Sequence, residues 1–500
     1  MLLGRTLHLP RQRLLRISLS SLHVQAMLFI LAPILLLVAT TLFAFNTDPD
    51  YWWHVRTGQY IYDTGTLPRL DIYSYTSSGQ PWVTHEWLTE LVFYVLTRLG
   101  GYRLVAAIFA LLGVLTCSVL YLTCRRRGLG EIGASLCMLW GFVMASASLN
   151  VRPQAITTLF LALCTLVITC YLQGQTGPLY LLPPLFALWV NLHGGYVIGL
   201  VLIALTVVGQ IVDTWQKRAL QPLRPLLSAA ILSVGATLLN PHGLTALTYP
   251  FSYVSADNAS MLYIVEWQSP NFHEPFFLVF AASLLLVMLL GLARRPLAAT
   301  DTLVAMVFTF LALRSGRHIS LYAVVMMPLI AARLQAELPA FGRTLQQWHS
   351  KRLLAVIWPL TMIAILVVIF KSGGMAHLQV GLEPGERGYP SGAVRYLRDN
   401  NLKGNLFNEY GWGGYLIYRL YPDWRVFIDG RADVYGDEFM NKYMDVAWLH
   451  PRWRNVLDEY KVNLVLVKAA SPLAVVLSND RDWQEIYSGE VEQLFKRKAE

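Results

Sequence analysis

The feature that most constrains this chain is a series of apolar runs between residues 27 and 370, each almost without charge. Each run is roughly 18 residues or longer, the length that a helix needs to cross the hydrocarbon core of a bilayer. The sequence of 500 residues is 55% hydrophobic and 14% charged, whereas soluble proteins average about 25% charged residues. It therefore predicts an α-helical polytopic membrane protein.

Spans of about 20 residues fit at about eleven positions, so we predict about eleven transmembrane helices. Residues 1–26 are basic and contain no acid, and we expect them to precede a transmembrane domain of residues 27–370. The predicted spans are 27–45, 103–123, 129–149, 155–172, 179–193, 196–214, 225–240, 276–293, 300–314, 318–334 and 353–370.

The orientation follows from the basic residues, because Lys and Arg near span ends collect on the cytoplasmic side. Every second connection between spans is basic, and the N-terminus lies on the same, cytoplasmic side of the membrane as these connections. With an odd number of spans, the C-terminus lies outside. The predicted cytoplasmic connections hold Arg125–Arg127, Lys217 with Arg218 and Arg224, Arg294 with Arg295, and Arg343 with Lys351 and Arg352. The predicted outer segments are 46–102, 150–154, 191–195, 241–275 and 314–318.

The last quarter of the chain has the composition of an ordinary globular domain. Residues 371–390 are rich in Gly and Pro and predict a linker, after which 391–500 predict a soluble, extracytoplasmic α/β domain. Without a Gly-rich phosphate loop, it predicts no nucleotide site. We predict helices at 391–400, 414–420, 452–460 and 472–477, strands at 405–408, 425–429 and 462–467, and two short strands in the tail.

Cysteine spacing gives no sign of a metal or redox site. The five cysteines all fall inside or at the ends of apolar spans. They predict buried thiols in the membrane core.

The outer loop 46–102 is the longest polar interruption in the apolar part of the chain. It opens with Asp48-Pro49-Asp50, followed by a predicted interfacial helix at about Tyr51–Asp63 whose aromatic rings suit a membrane surface. A structural explanation is available for the acids. Asp48 can cap this helix with Pro49 at its first position, and Glu86 can be a first-turn acid of the next helix.

Other ionisable residues gather on the same predicted outer face. A carboxylate beside cations suits a reaction in which a base takes a proton from a hydroxyl while Arg holds a phosphate leaving group. The alternative for the Arg and His members is snorkelling or bonding to loop carbonyls. The outer-face set is Asp48, Asp50, His54, Arg56, His85, Glu86, Arg152, His193, Glu266, Arg314, Arg317 and His318.

The order of motifs in this loop resembles that of the membrane glycosyltransferases of the GT-C type, which use polyprenyl-phosphate-linked sugars. The likeness covers nearly the whole chain and is greatest to uncharacterised bacterial members. The motifs that carry it are Asp48-Pro-Asp-Tyr-Trp-Trp-His-Val-Arg-Thr-Gly58, Gly65-Thr-Leu-Pro68, Gly79-Gln-Pro81, His85-Glu-Trp87, Asn191-Leu-His-Gly-Gly195, Glu266-Trp267 and the tail segments 413–416 and 426–433.

The resemblance implies an inverting glycosyltransferase on the outer face of a bacterial cytoplasmic membrane, with a polyprenyl-phosphate sugar as donor. It implies that Asp48 or Asp50 is the base, with Glu86 as its neighbour. Pro49 separates two acids that are adjacent in mannosyltransferase-like members, so the choice between them stays open. The implied substrate-binding residues are His54, Arg56, His85, Arg152, His193, Glu266, Arg314, Arg317 and His318.

Partners and cofactors follow from the same resemblance. We expect a lipid-linked donor, membrane lipid and an unidentified acceptor as partners, and no nucleic acid. We expect no cofactor, although the first-loop acid of oligosaccharyltransferases is a metal ligand, which leaves a divalent metal open.

Two other functions fit a polytopic chain. A transporter or flippase of a lipid-linked intermediate needs mid-membrane charges and repeated halves. A membrane scaffold or sensor would leave the clustered carboxylates idle. In the tail, Asp429, Arg431 and Asp433 can edge a site or form a turn with an internal Arg–Asp pair, and Trp412-Gly-Gly can be an acceptor platform or a packed turn.

Overall fold

The computed structural model describes residues 48–216, 221–250, 262–291, 297–337 and 388–498. The predicted N-terminal segment 1–26, the spans 27–45 and 353–370, and the linker 371–390 except its last three residues lie outside this part of the chain.

The membrane part is built from helices joined by short turns. Its 3₁₀ turns are Ser146–Ser148, Gly177–Leu181, Val265–Trp267 and Gly316–His318. The helices are α1 (Tyr51–Thr64), α2 (Trp87–Arg126), α3 (Glu131–Ala145), α4 (Gln154–Leu172), α5 (Leu182–Leu192), α6 (Tyr196–Trp215), α7 (Leu223–Ala236), α8 (Thr245–Thr248), α9 (Pro275–Gly291), α10 (Ala299–Arg314) and α11 (Ile319–Glu337).

The predicted spans that fall within the described ranges each coincide with one of these helices. Five stretches there are long and apolar enough to cross a bilayer, and the count of eleven stays a prediction. They are Trp87–Arg126, Glu131–Ser148, Gln154–Leu172, Tyr196–Trp215 and Gly316–Glu337.

The span predicted at 103–123 belongs to a longer helix than expected. Helix α2 starts at Trp87 and is kinked where Gly100 and Gly101 leave helical geometry, with a φ of 65° at Gly101. Such a positive φ favours glycine, which lacks a Cβ. The glycine pair thus separates an outer helical segment, which starts at Trp87, from the span that follows it.

The predicted interfacial helix is present as α1, but its two tryptophans are not at a lipid surface. Trp52 and Trp53 are buried. The ring of Trp52 lies 5.3 Å from that of Tyr415 and 5.8 Å from that of Tyr389, both in the C-terminal domain. The rings therefore pack inside the protein, which corrects the interfacial explanation.

The C-terminal domain is a small α/β unit with a four-stranded sheet in the order β1-β2-β4-β3. Strand β1 pairs with β2 in parallel, and the other pairs are antiparallel. The strands are β1 (Asn405–Asn408), β2 (Val462–Lys468), β3 (Trp483–Ser488) and β4 (Glu492–Arg497), and the helices are α12 (Ser391–Asp399), α13 (Gly413–Leu420), α14 (Ala432–Ala447), α15 (Trp453–Glu459) and α16 (Pro472–Ser478).

The strand predicted at 425–429 is wrong. Val426 forms an isolated bridge with Ser74 in the outer loop instead of joining the sheet. Its N–H donates to the Tyr73 carbonyl at 3.0 Å, and its carbonyl accepts from Tyr75 N–H at 3.1 Å. The segment is extended because it pairs with the outer loop, and helix α14, which was not predicted, follows it.

The described residues form two hydrophobic cores. One lies among the membrane helices and includes Cys124 and Cys164, and all five cysteines are buried free thiols, as predicted. The other is shared by the outer loop and the C-terminal domain, so that Tyr51 and Trp53 pack in one cluster with Phe427. The C-terminal domain therefore sits directly on α1.

Candidate active site

Eleven of the twelve predicted outer-face residues line one cavity of about 530 Å³ between the membrane helices and the C-terminal domain. They are Asp48, Asp50, His54, His85, Glu86, Arg152, His193, Glu266, Arg314, Arg317 and His318.

Arg56 is the exception, and its predicted role in substrate binding is not supported by its position. Its guanidinium donates to Gln59 Oε1 and to the Tyr421 carbonyl at 2.8 Å, and it lies over the Tyr421 ring. Arg56 thus fastens α1 to the C-terminal domain.

Asp48 is committed to an ion pair. Its carboxylate contacts the Arg152 guanidinium, which also contacts Glu266 from the loop before α9. The other carboxylate oxygen of Asp48 accepts the Asp50 N–H at 2.9 Å. Helix α1 begins at Tyr51 with Asp50 at its N-cap position, so the predicted cap at Asp48, with Pro49 as the first helical residue, is wrong. Asp48 therefore holds the start of α1 against Arg152.

Asp50 has a different environment. Its Oδ1 accepts a hydrogen bond from Trp53 Nε1 at 3.0 Å, and no described cation forms an ion pair with it. Gly430 of the C-terminal domain packs so closely that a Cβ there would lie 1.8 Å from Asp50 Oδ1. Burial raises the pKa of Asp50, partly opposed by nearby His54 and the Trp53 hydrogen bond. A carboxylate with a raised pKa is a better proton acceptor.

Glu86 lies among three imidazoles. Its oxygens are 3.3 Å from His193 Nε2, 3.5 Å from His85 Nε2 and 3.6 Å from His54 Nε2. Burial works to raise the pKa of Glu86, but the hydrogen bond and charge of His85 hold it below its usual range. Burial likewise works to lower the pKa of His85, and Glu86 raises it to about 9. Near neutral pH, Glu86 and His85 are therefore a charged pair.

His193 is held neutral in one tautomer. Its Nδ1 accepts the Gly195 N–H at 2.9 Å and lies 2.6 Å from Thr157 Oγ1, which itself accepts from Trp189 Nε1. With Nδ1 accepting, the proton is on Nε2, which faces Glu86. Burial lowers the pKa of His193 to about 3. The Asn191–Gly195 motif thus aims one imidazole N–H at Glu86.

Two guanidiniums also line the cavity. Arg314 ends α10, and Arg317 lies in the following turn with its guanidinium 4.8 Å from the centre of the Trp267 ring. Within the described residues, neither has a carboxylate at ion-pair distance. Stacking on Trp267 leaves the N–H edge of Arg317 open to an anion.

Several residues that line the cavity were not among those predicted from the sequence. Glu90 lies one helical turn after Glu86, with Oε1 3.6 Å from His54 Nδ1. Tyr249 donates to Asp433 Oδ2 at 2.5 Å, and Tyr410 lines the wall beside Gly430. The spacing of Glu86 and Glu90 was a signal available in the sequence, because residues four apart share a helix face.

The turn explanation of the tail is correct for Asp429 and Arg431. Arg431 donates from Nε and Nη2 to the two oxygens of Asp429, at 2.8 and 2.7 Å. Nη2 also lies 2.8 Å from Asp71 Oδ1 in the outer loop. Asp433 separates from this pair and lies at the cavity wall.

The donor set does not fit a metal ion in this part of the chain. No group of three or more His, Cys, Asp or Glu among the described residues is arranged to hold one. Asp48, the first-loop acid, shares the Arg152 guanidinium with Glu266.

Comparisons with known proteins bear on the fold. No protein-family model matches the sequence, and no curated protein matches it. Solved structures do. The oligosaccharyltransferase AglB of Archaeoglobus fulgidus, solved with an inhibitory peptide and a dolichol-phosphate, is 11% identical with a TM-score of 0.57, over 90% of this chain and 70% of that one.

Two further structures are similar along most of this chain. ArnT from Cupriavidus metallidurans is 14% identical with a TM-score of 0.53, over 95% of this chain and 98% of that one. The arabinofuranosyltransferase AftD from Mycobacteria is 14% identical with a TM-score of 0.50, over 96% of this chain and 40% of that one.

At these identities the similarity establishes the fold. The chain has the fold of the GT-C glycosyltransferases, as its sequence resemblance predicted. With its apolar helices, it is a multi-pass membrane protein.

Proposed function

We propose that this protein is an integral membrane glycosyltransferase. It moves a sugar from a polyprenyl-phosphate donor to an acceptor hydroxyl on the outer face of a bacterial cytoplasmic membrane. The N-terminus is cytoplasmic, about eleven helices span the bilayer, and residues 391–500 are extracytoplasmic.

One observation carries this proposal. The Asp50 carboxylate lines the same cavity as the guanidiniums of Arg314 and Arg317, and none of the three has an ion-pair partner within the described ranges. A base and an anion site in one cavity are what transfer from a phosphate leaving group needs. A scaffold would not require the ionisable residues to converge.

Asp50 is the base in this mechanism. It accepts the proton of the acceptor hydroxyl as that oxygen bonds to the anomeric carbon of the donor. The bond from this carbon to the phosphate oxygen breaks, and the polyprenyl phosphate leaves with the electron pair. Arg314 and Arg317 stabilise the added negative charge. Asp50 then releases its proton to water, since it is only partly buried.

Asp48 and Glu86 have supporting roles. Asp48 and Glu266 orient Arg152 at the edge of the cavity, where its charge adds to that of Arg314 and Arg317. Glu86 forms a fixed charged pair with His85 at the cavity wall. No step uses a cofactor, and activity after dialysis against EDTA tests that part of the proposal.

The anion site can be tested without knowing the sugar. Purified protein in nanodiscs is titrated with polyprenyl phosphate, the expected leaving group. We expect Arg314→Ala and Arg317→Ala each to weaken binding by about tenfold, the effect of losing one charged hydrogen bond. Arg103→Ala is the control, since Arg103 is exposed on α2 and does not line the cavity. Equal binding by all four proteins would contradict the proposal.

A further inference from the structure

Two groups of cavity-lining residues differ in charge. Arg314 ends α10 and Arg317 lies in the following turn. The second group, the C-terminal wall, consists of Tyr410, Gly411, Gly414 and Gly430–Asp433.

The C-terminal wall meets the proposed base directly. A Cβ at Gly430 would lie 1.8 Å from Asp50 Oδ1, and one at Gly414 would lie 2.5 Å from the Pro49 carbonyl oxygen. Backbone therefore abuts the Asp50 segment with no side chain between them. In the proposed mechanism Arg314 and Arg317 hold the phosphate, so we place the acceptor hydroxyl that gives its proton to Asp50 along the C-terminal wall.

Among the described residues, the C-terminal wall offers no free positive charge. Arg431 is 2% exposed and lies between the carboxylates of Asp71 and Asp429, so this buried group has two negative charges to one positive. Asp433 is exposed at the wall and accepts a hydrogen bond from Tyr249. The charge of Asp433 also acts on His85, which is paired with Glu86.

Aromatic rings and hydroxyls complete the surroundings. Trp53 and Trp82 line the cavity with their ring centres 6.3 Å apart, and the hydroxyls of Tyr410 and Tyr249 stand on the same side. Apolar faces with a few placed polar groups are the usual walls of a site for a small polar ligand.

From this charge distribution we infer that the acceptor is an uncharged sugar with a free hydroxyl. It binds along the C-terminal wall, where Asp433 excludes anionic acceptors. This inference rests on the proposed function. It assigns Asp433 as a residue that determines acceptor specificity, and it leaves donor binding to Arg314 and Arg317.

The test uses two matched probes, tritiated methyl glucoside and methyl glucuronide, which differ by one carboxylate. Their binding is measured by equilibrium dialysis against nanodisc-embedded protein loaded with polyprenyl phosphate. We expect the wild type to bind the glucuronide at least about tenfold more weakly than the glucoside, because like charges repel across the site.

Variants of Asp433 should change this ratio. Asp433→Lys should bring the glucuronide to equal or tighter binding, and Asp433→Asn, which keeps an acceptor for Tyr249, should give an intermediate ratio. Asp423→Lys is the control, since Asp423 is exposed in the same domain and does not line the cavity. Asp423→Lys should leave both the ratio and the affinity for polyprenyl phosphate unchanged.

Two outcomes would overturn the inference. One is a wild type that binds the glucuronide as well as the glucoside, or binds neither. The other is an unchanged ratio in Asp433→Lys. The proposed function fails separately, if Arg314→Ala and Arg317→Ala bind polyprenyl phosphate as well as the wild type, so the two results are distinguishable.

Discussion

At the scale of single residues, the acids of the cavity differ in what surrounds them. Asp48 faces Arg152 and Glu86 faces three imidazoles. Asp50 accepts a hydrogen bond from the Trp53 indole N–H and packs against the backbone of Gly430. A carboxylate whose charged form is stabilised by a neighbouring cation is a weak base, whereas a carboxylate whose pKa is raised by burial is a stronger base. This difference is our reason for proposing Asp50 as the base, where the sequence left Asp48 and Asp50 open.

We expect Gly195 to be needed for the placement of the His193 imidazole. A Cβ at Gly195 would lie 2.3 Å from Thr157 Oγ1 and 2.8 Å from His193 Nδ1. Gly195→Ala should therefore displace His193 and cost about 1–3 kcal/mol through overpacking. Thermal unfolding in detergent measures the loss. Gly235→Ala is the control, because a Cβ there has nothing within 4 Å, and equal melting temperatures for the two variants would be inconsistent with the packing.

The His85–Glu86 pair predicts an alkaline loss of stability. Because Glu86 raises the folded-state pKa of His85 to about 9, the pair's contribution is full below the unfolded value near 6.5. It is lost as the pH rises through about 9. The melting temperature of the wild type should fall between pH 7 and 10. The melting temperature of His85→Gln should fall less over the same range. Parallel curves of melting temperature against pH for the two proteins would refute the charged His85–Glu86 pair.

At the scale of elements, helix α10 begins on a cap supplied by another helix. Asp213 near the end of α6 accepts the N–H groups of Ala299 at 2.8 Å and Thr300 at 3.3 Å. Gln210 also donates to the Thr300 hydroxyl at 3.0 Å. The first N–H groups of a helix have no partner within it, so this contact satisfies two of them. It fixes the start of the helix that ends at Arg314.

Removal of this cap should destabilise the protein without removing a cavity residue. Asp213→Ala leaves buried N–H donors unsatisfied, which costs about 1–3 kcal/mol. Asp301→Ala is the matched control in the first turn of α10. It breaks only a 3.6 Å pair with Arg127, and such a pair contributes about 1 kcal/mol or less. Denaturation curves compare the two, and a larger effect of Asp301→Ala would contradict the capping account.

Elements with a local signal could be predicted from the sequence. Apolar length located the helices within the described part of the membrane domain, and β-rich apolar runs located β1 and β2. The segment 425–429 has the same composition as a strand, but its partner is Ser74 in the outer loop, which no local pattern reveals. Arg56 failed as a site residue for the same reason, since its contact with Tyr421 depends on how distant segments pack.

At the scale of the whole molecule, the outer loop and the C-terminal domain fold as one unit. They share a hydrophobic core and a buried ionic cluster in which Arg431 bridges Asp71 and Asp429. Arg431 also lies 4.5 Å from the centre of the Trp82 ring. The sequence predicted the outer loop and the C-terminal domain as separate regions. Their connection could not be predicted, because Asp429 and Arg431 are already explained by a local turn and nothing in the sequence links them to Asp71.

Loss of Arg431 should loosen this unit. Arg431→Gln would leave two buried carboxylates without a cation, and breaking a buried pair in this way costs about 3–5 kcal/mol. We expect faster proteolysis of residues 388–498 and a lower melting temperature. Arg425→Gln is the control, since the exposed Arg425 makes one hydrogen bond to Ser78. Equal protease resistance in both variants would contradict the shared fold.

The central claim is that Asp50 serves as the base for transfer of a lipid-linked sugar. Mass spectrometry of the envelope glycans and lipids of a deletion strain tests it most directly, with complementation by wild type, Asp50→Asn or Arg103→Ala. General-base catalysis contributes about 10²–10⁴-fold, so we expect one sugar to be lost and its polyprenyl-phosphate form to accumulate. Wild type and Arg103→Ala should restore the sugar, and Asp50→Asn should not. Full restoration by Asp50→Asn, or an unchanged envelope in the deletion strain, would contradict the account.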